Sequence, residues 1–147
     1  MDAKDVLDLQ VSVADLEMAA LRFDGPLKQM GIERSVYDHD HVPAGRADDL
    51  ASWTKRLWSR RDHAGEDVNL HVRVVGSPNE RFALLFRDWM RAHPEAIAPY
   101  CAIKGSLAAQ APDSGWYSDL KDPIVDLVIA VAKGWASTTG WSISAAP

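Results

Sequence analysis

Residues 68–75 constrain the fold more tightly than any other stretch. Val68, Leu70, Val72 and Val74 alternate with Asn69, His71, Arg73 and Val75. A period of two specifies a strand, with one apolar face and one face carrying His71 and Arg73. Gly76 breaks the pattern, and Ser77-Pro78-Asn79-Glu80 follows in the form of a capping box. Ser77 can accept from the amide three residues on, Pro78 suits the first helical position, and Glu80 can reach back. Phe82, Leu85, Phe86, Trp89 and Met90 then recur on one helical face. The helix ends at His93-Pro94, because a residue preceding proline is pushed out of the α region.

The flanking segments extend this strand and helix into a mixed architecture. Val6–Val13 reads as a strand, with Leu7, Leu9, Val11 and Val13 on one face and Val6, Asp8, Gln10 and Ser12 on the other. A strand so apolar on one side, at the very start of the chain, implies sequence missing before Lys4. Asp15 caps a helix through about Phe23, which Gly25-Pro26 interrupts and Gly31 stops. Ile32–Tyr37 is a strand candidate, Asp38–Asp49 a polar loop, Trp53–Arg60 a strand and His63–Asp67 a turn. Pro94 opens a helix that has Ile97, Tyr100, Cys101, Lys104, Leu107 and Ala108 at helical spacing, with Cys101 as a buried thiol. A break spans Pro112 to Gly115, and Trp116, Tyr117 and Leu120 form a short turn. A last helix starts at Asp122-Pro123, turns Ile124, Leu127, Val128, Val131 and Trp135 inward, and ends at Gly140. Residues 1–141 form a single domain, with a loosely held tail over 142–147. Strands lead and helices follow, so the fold class is α+β, a small mixed sheet with helices packed mainly on one face.

Composition narrows the function. Of the 147 residues, 47% are apolar and 25% charged, as in an ordinary globular domain. A net charge of −5 argues against a nucleic-acid binder. The single cysteine forms no internal disulfide, and no apolar run approaches the roughly 20 residues that cross a bilayer. The expectation is a soluble cytoplasmic protein. No Gly-Lys-Ser or Gly-Lys-Thr phosphate loop and no serine-elbow motif occurs.

The candidate site residues lie on strands. Asp8 and Gln10 are two apart and point to one side, where Asp8 could hold a divalent metal such as magnesium beside a bound nucleotide. His71 and Arg73 share a strand face; imidazole can exchange protons near neutral pH, and guanidinium can grip a phosphate with two bonds. Lys55 and Arg56, with Arg60 and Arg61, form a basic run suited either to an anionic ligand or to a solvated face. Asp38-His39-Asp40-His41 mimics a metal cluster, but the residues alternate within a loop, without the separated, held geometry that zinc needs.

Four pieces of the chain resemble the GrpB-like family, bacterial domains found alone or fused behind the kinase domain of dephospho-coenzyme A kinase. They are Ala3-Lys4-Asp5-Val6-Leu7-Asp8-Leu9-Gln10-Val11, Asn69-Leu70-His71-Val72-Arg73-Val74, Phe86-Arg87-Asp88-Trp89-Met90-Arg91-Ala92-His93-Pro94, and the pairs Tyr100/Lys104 and Tyr117/Lys121. The likeness runs from Ala3 to about Trp141. It is strongest to the fused form, through Asp5 and the ending Trp135-Ala136-Ser137-Thr138-Thr139-Gly140-Trp141.

The resemblance implies a nucleotidyltransferase-like fold, truncated at its N-terminus. Asp8 matches the first metal-binding carboxylate, and Gln10 stands where an active transferase has the second. The family's His-Ile-Gly-Ser-Thr segment does not precede Ala3, and the kinase phosphate loop is absent too. The resemblance therefore implies a non-catalytic accessory domain for a dephospho-coenzyme A kinase, in coenzyme A biosynthesis. Such a domain would support kinase folding, assembly or regulation, or bind a small anionic ligand. The alternative is a divergent metal-dependent nucleotidyl- or phosphoryl-transferase using Asp8, His71 and Arg73, with Lys55 and Arg56 on the phosphates. An open sheet edge would also invite a homodimer.

Overall fold

A computed structural model describes residues 6–61, 67–112 and 114–143. The described residues fall into two compact units, one reaching up to Val42 and including Ala47–Glu80, the other made of Pro43–Arg46 and the residues from Arg81 onward.

The first unit is built on a four-stranded mixed sheet in the order β1-β4-β3-β2. The strands are β1 (Val6–Val13), β2 (Glu33–Arg34), β3 (Lys55–Arg60) and β4 (Asp67–Val74). β1 runs parallel to β4, pairing Asp8 with Asn69 and Gln10 with His71. β3 runs antiparallel to β4, pairing Lys55 with Arg73 and Leu57 with His71. Paired residues share a face, so the apolar set of β4 lies beside Leu7, Leu9, Val11 and Val13 of β1. Helix α1 (Leu16–Gln29) covers that face. Leu16, Ala19 and Ala20 of α1 bury against Trp58, Val72 and Ile32, with Val13, Phe23, Leu27, Leu70 and Val74 around them. Trp58 is fully buried, and its indole N–H is satisfied by Asp24 Oδ1 at 2.9 Å. Leu7, Leu9 and Val11 of the edge strand stay exposed.

Asp15 caps α1 as expected, accepting from the Met18 amide at 2.8 Å. The expected interruption at Gly25-Pro26 does not occur: α1 runs through Pro26 to Gln29. Burial of its apolar stripe outweighs the one hydrogen bond that a proline removes. Gly31, at φ 72°, then turns the chain. The strand expected over Ile32–Tyr37 shrinks to Glu33–Arg34, since only those residues find partners on β3. A 3-10 turn at Leu50–Trp53 leads into β3. The turn expected at His63–Asp67 falls largely outside the described residues.

In the second unit, α2 (Pro78–Ala92) from Arg81 onward packs with α3 (Ile97–Gln110) and α4 (Ser114–Thr139). Leu85 and Trp89 pack with Ala132 and Ala136 in one buried cluster. His93 stacks on Trp89 at 4.5 Å, and its Nδ1 lies 2.8 Å from the Trp89 carbonyl oxygen. Two expectations are corrected here. The short turn followed by a separate helix from Asp122-Pro123 is instead one helix, α4, running through Pro123. The burial falls on Ile129, Ala132 and Ala136, while Leu127 and Val131 face out. Cys101 is exposed rather than buried, because α3 contributes no buried residue at all.

Candidate functional site

The face of the sheet opposite α1 is polar, and the strand register explains why. Asp8 and Gln10 of β1, Asn69, His71 and Arg73 of β4, and Lys55 of β3 all fall on the same side. Asp40 joins them from the loop. The backbone around it runs antiparallel to the start of β3: His39 bridges Thr54, the Asp40 amide donates to the Trp53 carbonyl at 2.9 Å, and the Lys55 amide donates to the Asp38 carbonyl at 2.7 Å.

Asp40 is the hub. Its Oδ1 accepts from Lys55 Nζ at 2.6 Å and from Arg73 Nη2 at 3.1 Å. Its Oδ2 accepts from Arg73 Nε at 2.8 Å and from Asn79 Nδ2 at 3.0 Å. Asn79 Nδ2 also reaches the Trp53 and Thr54 carbonyls. Lys55, Arg73 and Asn79 are all buried. Burial alone would raise the Asp40 pKa, but the hydrogen bonds and charges of Arg73 and Lys55 outweigh it and hold the carboxyl far below its usual 3.8.

Arg73 also reaches toward β1, where its Nη1 donates to Gln10 Oε1 at 2.5 Å. Its Nη2 lies 3.4 Å from His71 Nδ1. Guanidinium only donates, so Nδ1 accepts and the imidazole proton sits on Nε2, which faces Asp8 Oδ1 at 3.7 Å. Burial pushes the His71 pKa below 6.5; the Arg73 and Lys55 charges push the same way, against the pull of Asp8 and Asp40. Asp8 in turn accepts from Asn69 Nδ2 at 2.7 Å, and Asn69 Oδ1 accepts from Arg61 Nη2 at 2.8 Å.

The structure thus brings together Asp8, Gln10, Lys55, His71 and Arg73. It does not bring Arg56 to them. Arg56 alternates onto the α1 face and pairs with Glu17. The sequence reading missed Asp40 and Asn79. Asp40 was hidden in the alternating Asp-His run, and Asn79 inside the capping segment; neither carries a local signal of a contact so distant in sequence.

The donor set does not fit magnesium. The ion is held by one or two carboxylates together with waters and phosphates, yet the Gln10 oxygen is neutral and taken by Arg73, and both Asp40 oxygens are taken by Arg73, Lys55 and Asn79. Among the described residues, no three His, Cys, Asp or Glu side chains gather where they could hold a metal ion. What the face does offer a ligand is the Gln10 amide: its Nε2 is buried with no acceptor.

Comparison with known proteins adds the lineage. Residues 1–130 match the family model described as GrpB protein. The chain is 36% identical to a dephospho-CoA kinase of Mycobacterium leprae over 96% of its own length, but spans only 37% of that protein. It is 38% identical to the dephospho-CoA kinase of Mycolicibacterium paratuberculosis, covering 95% of this chain and 36% of the relative. It is also 32% identical to UPF0157 protein YqkA of Bacillus subtilis, over 92% of this chain and 36% of the relative. The chain therefore spans little more than a third of the curated relatives it matches. The crystal structure of GrpB from Enterococcus faecalis superposes with a TM-score of 0.62 at 23% identity, covering 90% of this chain and 73% of that one, which supports the same α+β fold. No helix among the described residues is long and apolar enough to cross a membrane. A four-stranded mixed sheet with a polar face, a family match over most of the chain and relatives matched along nearly its whole length lead to one assignment: this chain belongs to the GrpB family.

Proposed function

We propose that this chain is a non-catalytic accessory domain that works with a dephospho-coenzyme A kinase, supporting the folding, assembly or regulation of the kinase. The observation that carries this reading is the position of Arg73. Its guanidinium lies between Gln10 Oε1 and the Asp40 carboxylate, where a transferase of this fold would need a cation bound by acidic side chains. A fixed internal cation repels a metal ion and uses up the acceptors that would hold one. Similarity to dephospho-CoA kinases over 95–96% of this chain points to the partner. The test is co-expression with the matching kinase domain, in cis and in trans. Co-elution with higher soluble yield of the kinase supports the reading; no association and no change in yield overturns it.

A second reading has one observation in its favour, the buried Gln10 Nε2 that lacks an acceptor. An anionic ligand could fill that position, from a small phosphate ester up to the nucleotide of a divergent transferase using Asp8, His71 and Arg73. A thermal-shift screen with ATP, CTP, dephospho-coenzyme A and coenzyme A, with and without magnesium, separates the cases. Ligand at one hundred times its Kd adds about 2.7 kcal/mol to the folded state. A rise without magnesium marks an anion site, a rise that needs magnesium marks the transferase, and a flat screen removes both.

A further inference from the structure

Among the described residues the chain passes between its two compact units after Val42, after Arg46 and after Glu80. A covalent crossing alone transmits nothing, because a chain free to swivel lets each unit open by itself. In the sheet unit, however, the ends of all these crossings come to one side chain, that of Asn79, which is buried.

Asn79 Nδ2 donates to Asp40 Oδ2 at 3.0 Å, and Asp40 stands just ahead of the first crossing. The same nitrogen lies 3.0 Å from the Trp53 carbonyl oxygen and 3.2 Å from that of Thr54. Those carbonyls close the segment that enters from the second crossing. Within that segment Asp49 caps the 3-10 turn, and Asp48 Oδ2 accepts from the Trp53 indole N–H at 3.0 Å. Asn79 itself lies in the first turn of α2, just ahead of the third crossing. Its Oδ1 accepts from the Glu80 amide at 3.1 Å, which fixes the orientation of the side-chain amide and turns its hydrogens toward the other three oxygens.

Pro43–Arg46, between the first and second crossings, is held in the helical unit. The Ala44 amide donates to Asp126 Oδ2 at 2.9 Å, and the Arg46 amide donates to the Pro43 carbonyl at 3.1 Å. The Arg46 guanidinium lies 5.3 Å from the centre of the Phe82 ring, and Phe82 follows the third crossing on α2. Three residues separate Asp40 from Ala44, so the tether between these two anchored points is short.

We propose that the Asn79 amide is a latch: by holding the sheet-side ends of these crossings, it makes the sheet unit and the helical unit open as one cooperative body. Without it, Asp40 Oδ2 and the Trp53 and Thr54 carbonyls each lose a donor, and the crossings become hinges. Asp40 Oδ2 also accepts from Arg73 Nε, so the latch and the polar face share one oxygen.

Native-state hydrogen exchange of the full chain, read at the slowest amides of β4 and of α4, tests this. Val72 is fully buried in the sheet core, and Val72→Ala weakens that core. With Asn79 in place, Val72→Ala is expected to speed exchange in α4 as much as in β4, because one opening exposes both. In an Asn79→Ala background the same change speeds β4 at least about tenfold more than α4. Glu80→Ala loses the bond to the Gly76 amide but keeps the Nδ2 contacts, and it leaves β4 and α4 in step. If Asn79→Ala fails to fold, Asn79→Ser takes its place. The proposal is overturned if Val72→Ala speeds β4 alone in the otherwise unaltered chain, or if α4 still follows β4 when the Asn79 amide is gone. It is overturned as well if Glu80→Ala separates the two.

Discussion

Arg73 Nη1 donates to Gln10 Oε1 at 2.5 Å, across two parallel strands and between residues 63 positions apart in sequence. The glutamine presents a neutral oxygen where a carboxylate would attract metal, and the arginine occupies that oxygen. Restoring the charge should therefore not restore metal binding. In Gln10→Glu the new carboxylate pairs with Arg73, and thermal midpoints with and without magnesium coincide. A magnesium-dependent rise in that variant would show that Arg73 yields the position.

Asp40 neutralises two buried cations at once. Removing one partner of a buried ion pair costs about 3–5 kcal/mol, because the other charge is left uncompensated. Asp40→Ala is expected to lose stability in that range, measured by urea denaturation. Asp38→Ala, two residues away but exposed, stays close to wild type.

Acid should undo the same hub. The folded-state pKa of Asp40 lies below its unfolded value, so its contribution is full above about pH 4 and is lost as pH falls toward the folded pKa. Denaturant midpoints measured downward from pH 5 fall in the wild type. The fall is shallower in Asp40→Asn, which starts lower but has no carboxyl to protonate.

His71 predicts a second slope at higher pH. Its folded pKa is depressed below 6.5, so under mild acid the unfolded chain takes up a proton that the folded chain refuses. Stability declines as pH drops below about 6.5, until the folded ring titrates too. His71→Gln removes that part of the profile. In NMR titrations the ring remains neutral, protonated at Nε2, below the pH at which a free histidine charges.

The start of α2 offers a local test. Glu80 is buried, and its Oε2 accepts from the Gly76 amide at 2.6 Å, where Gly76 has φ 79°. Glu80→Ala leaves that amide unsatisfied and is expected to cost about 1–3 kcal/mol. Gly76→Ala adds a Cβ in a left-handed conformation, at a cost of about 1–2 kcal/mol. Both are measured by chemical denaturation.

Much of this was legible in the chain. The alternation in Val68–Val75 and in Val6–Val13 assigned each side chain of β1 and β4 to a face, because period two leaves no freedom. The capping segment was legible in outline, although Glu80 reaches the Gly76 amide rather than that of Ser77. What sequence hid was either tertiary or a contest between local rules. Pro26 reads as a break and Pro123 as a helix start, and packing carried both helices through. Asp40 owes its role to partners at positions 55, 73 and 79, which no local pattern joins to it. Arg56 differs from Lys55 only by the parity of its place on β3, which could not be assigned until the strand's start was known.

The parallel ladder between β1 and β4 also governs when the fold can close. β1 leaves the ribosome before its partner β4, which ends only at Val74. Until then β1 has no strand to join, and its backbone N–H and C=O groups stay open to whatever else the cell presents. Long-range parallel pairing closes slowly, since the chain between must be ordered before any hydrogen bond rewards it. Nascent β1 is thus the segment that a folding helper would have to shield, and the delay lasts for the synthesis of the whole stretch from Val13 to Val74.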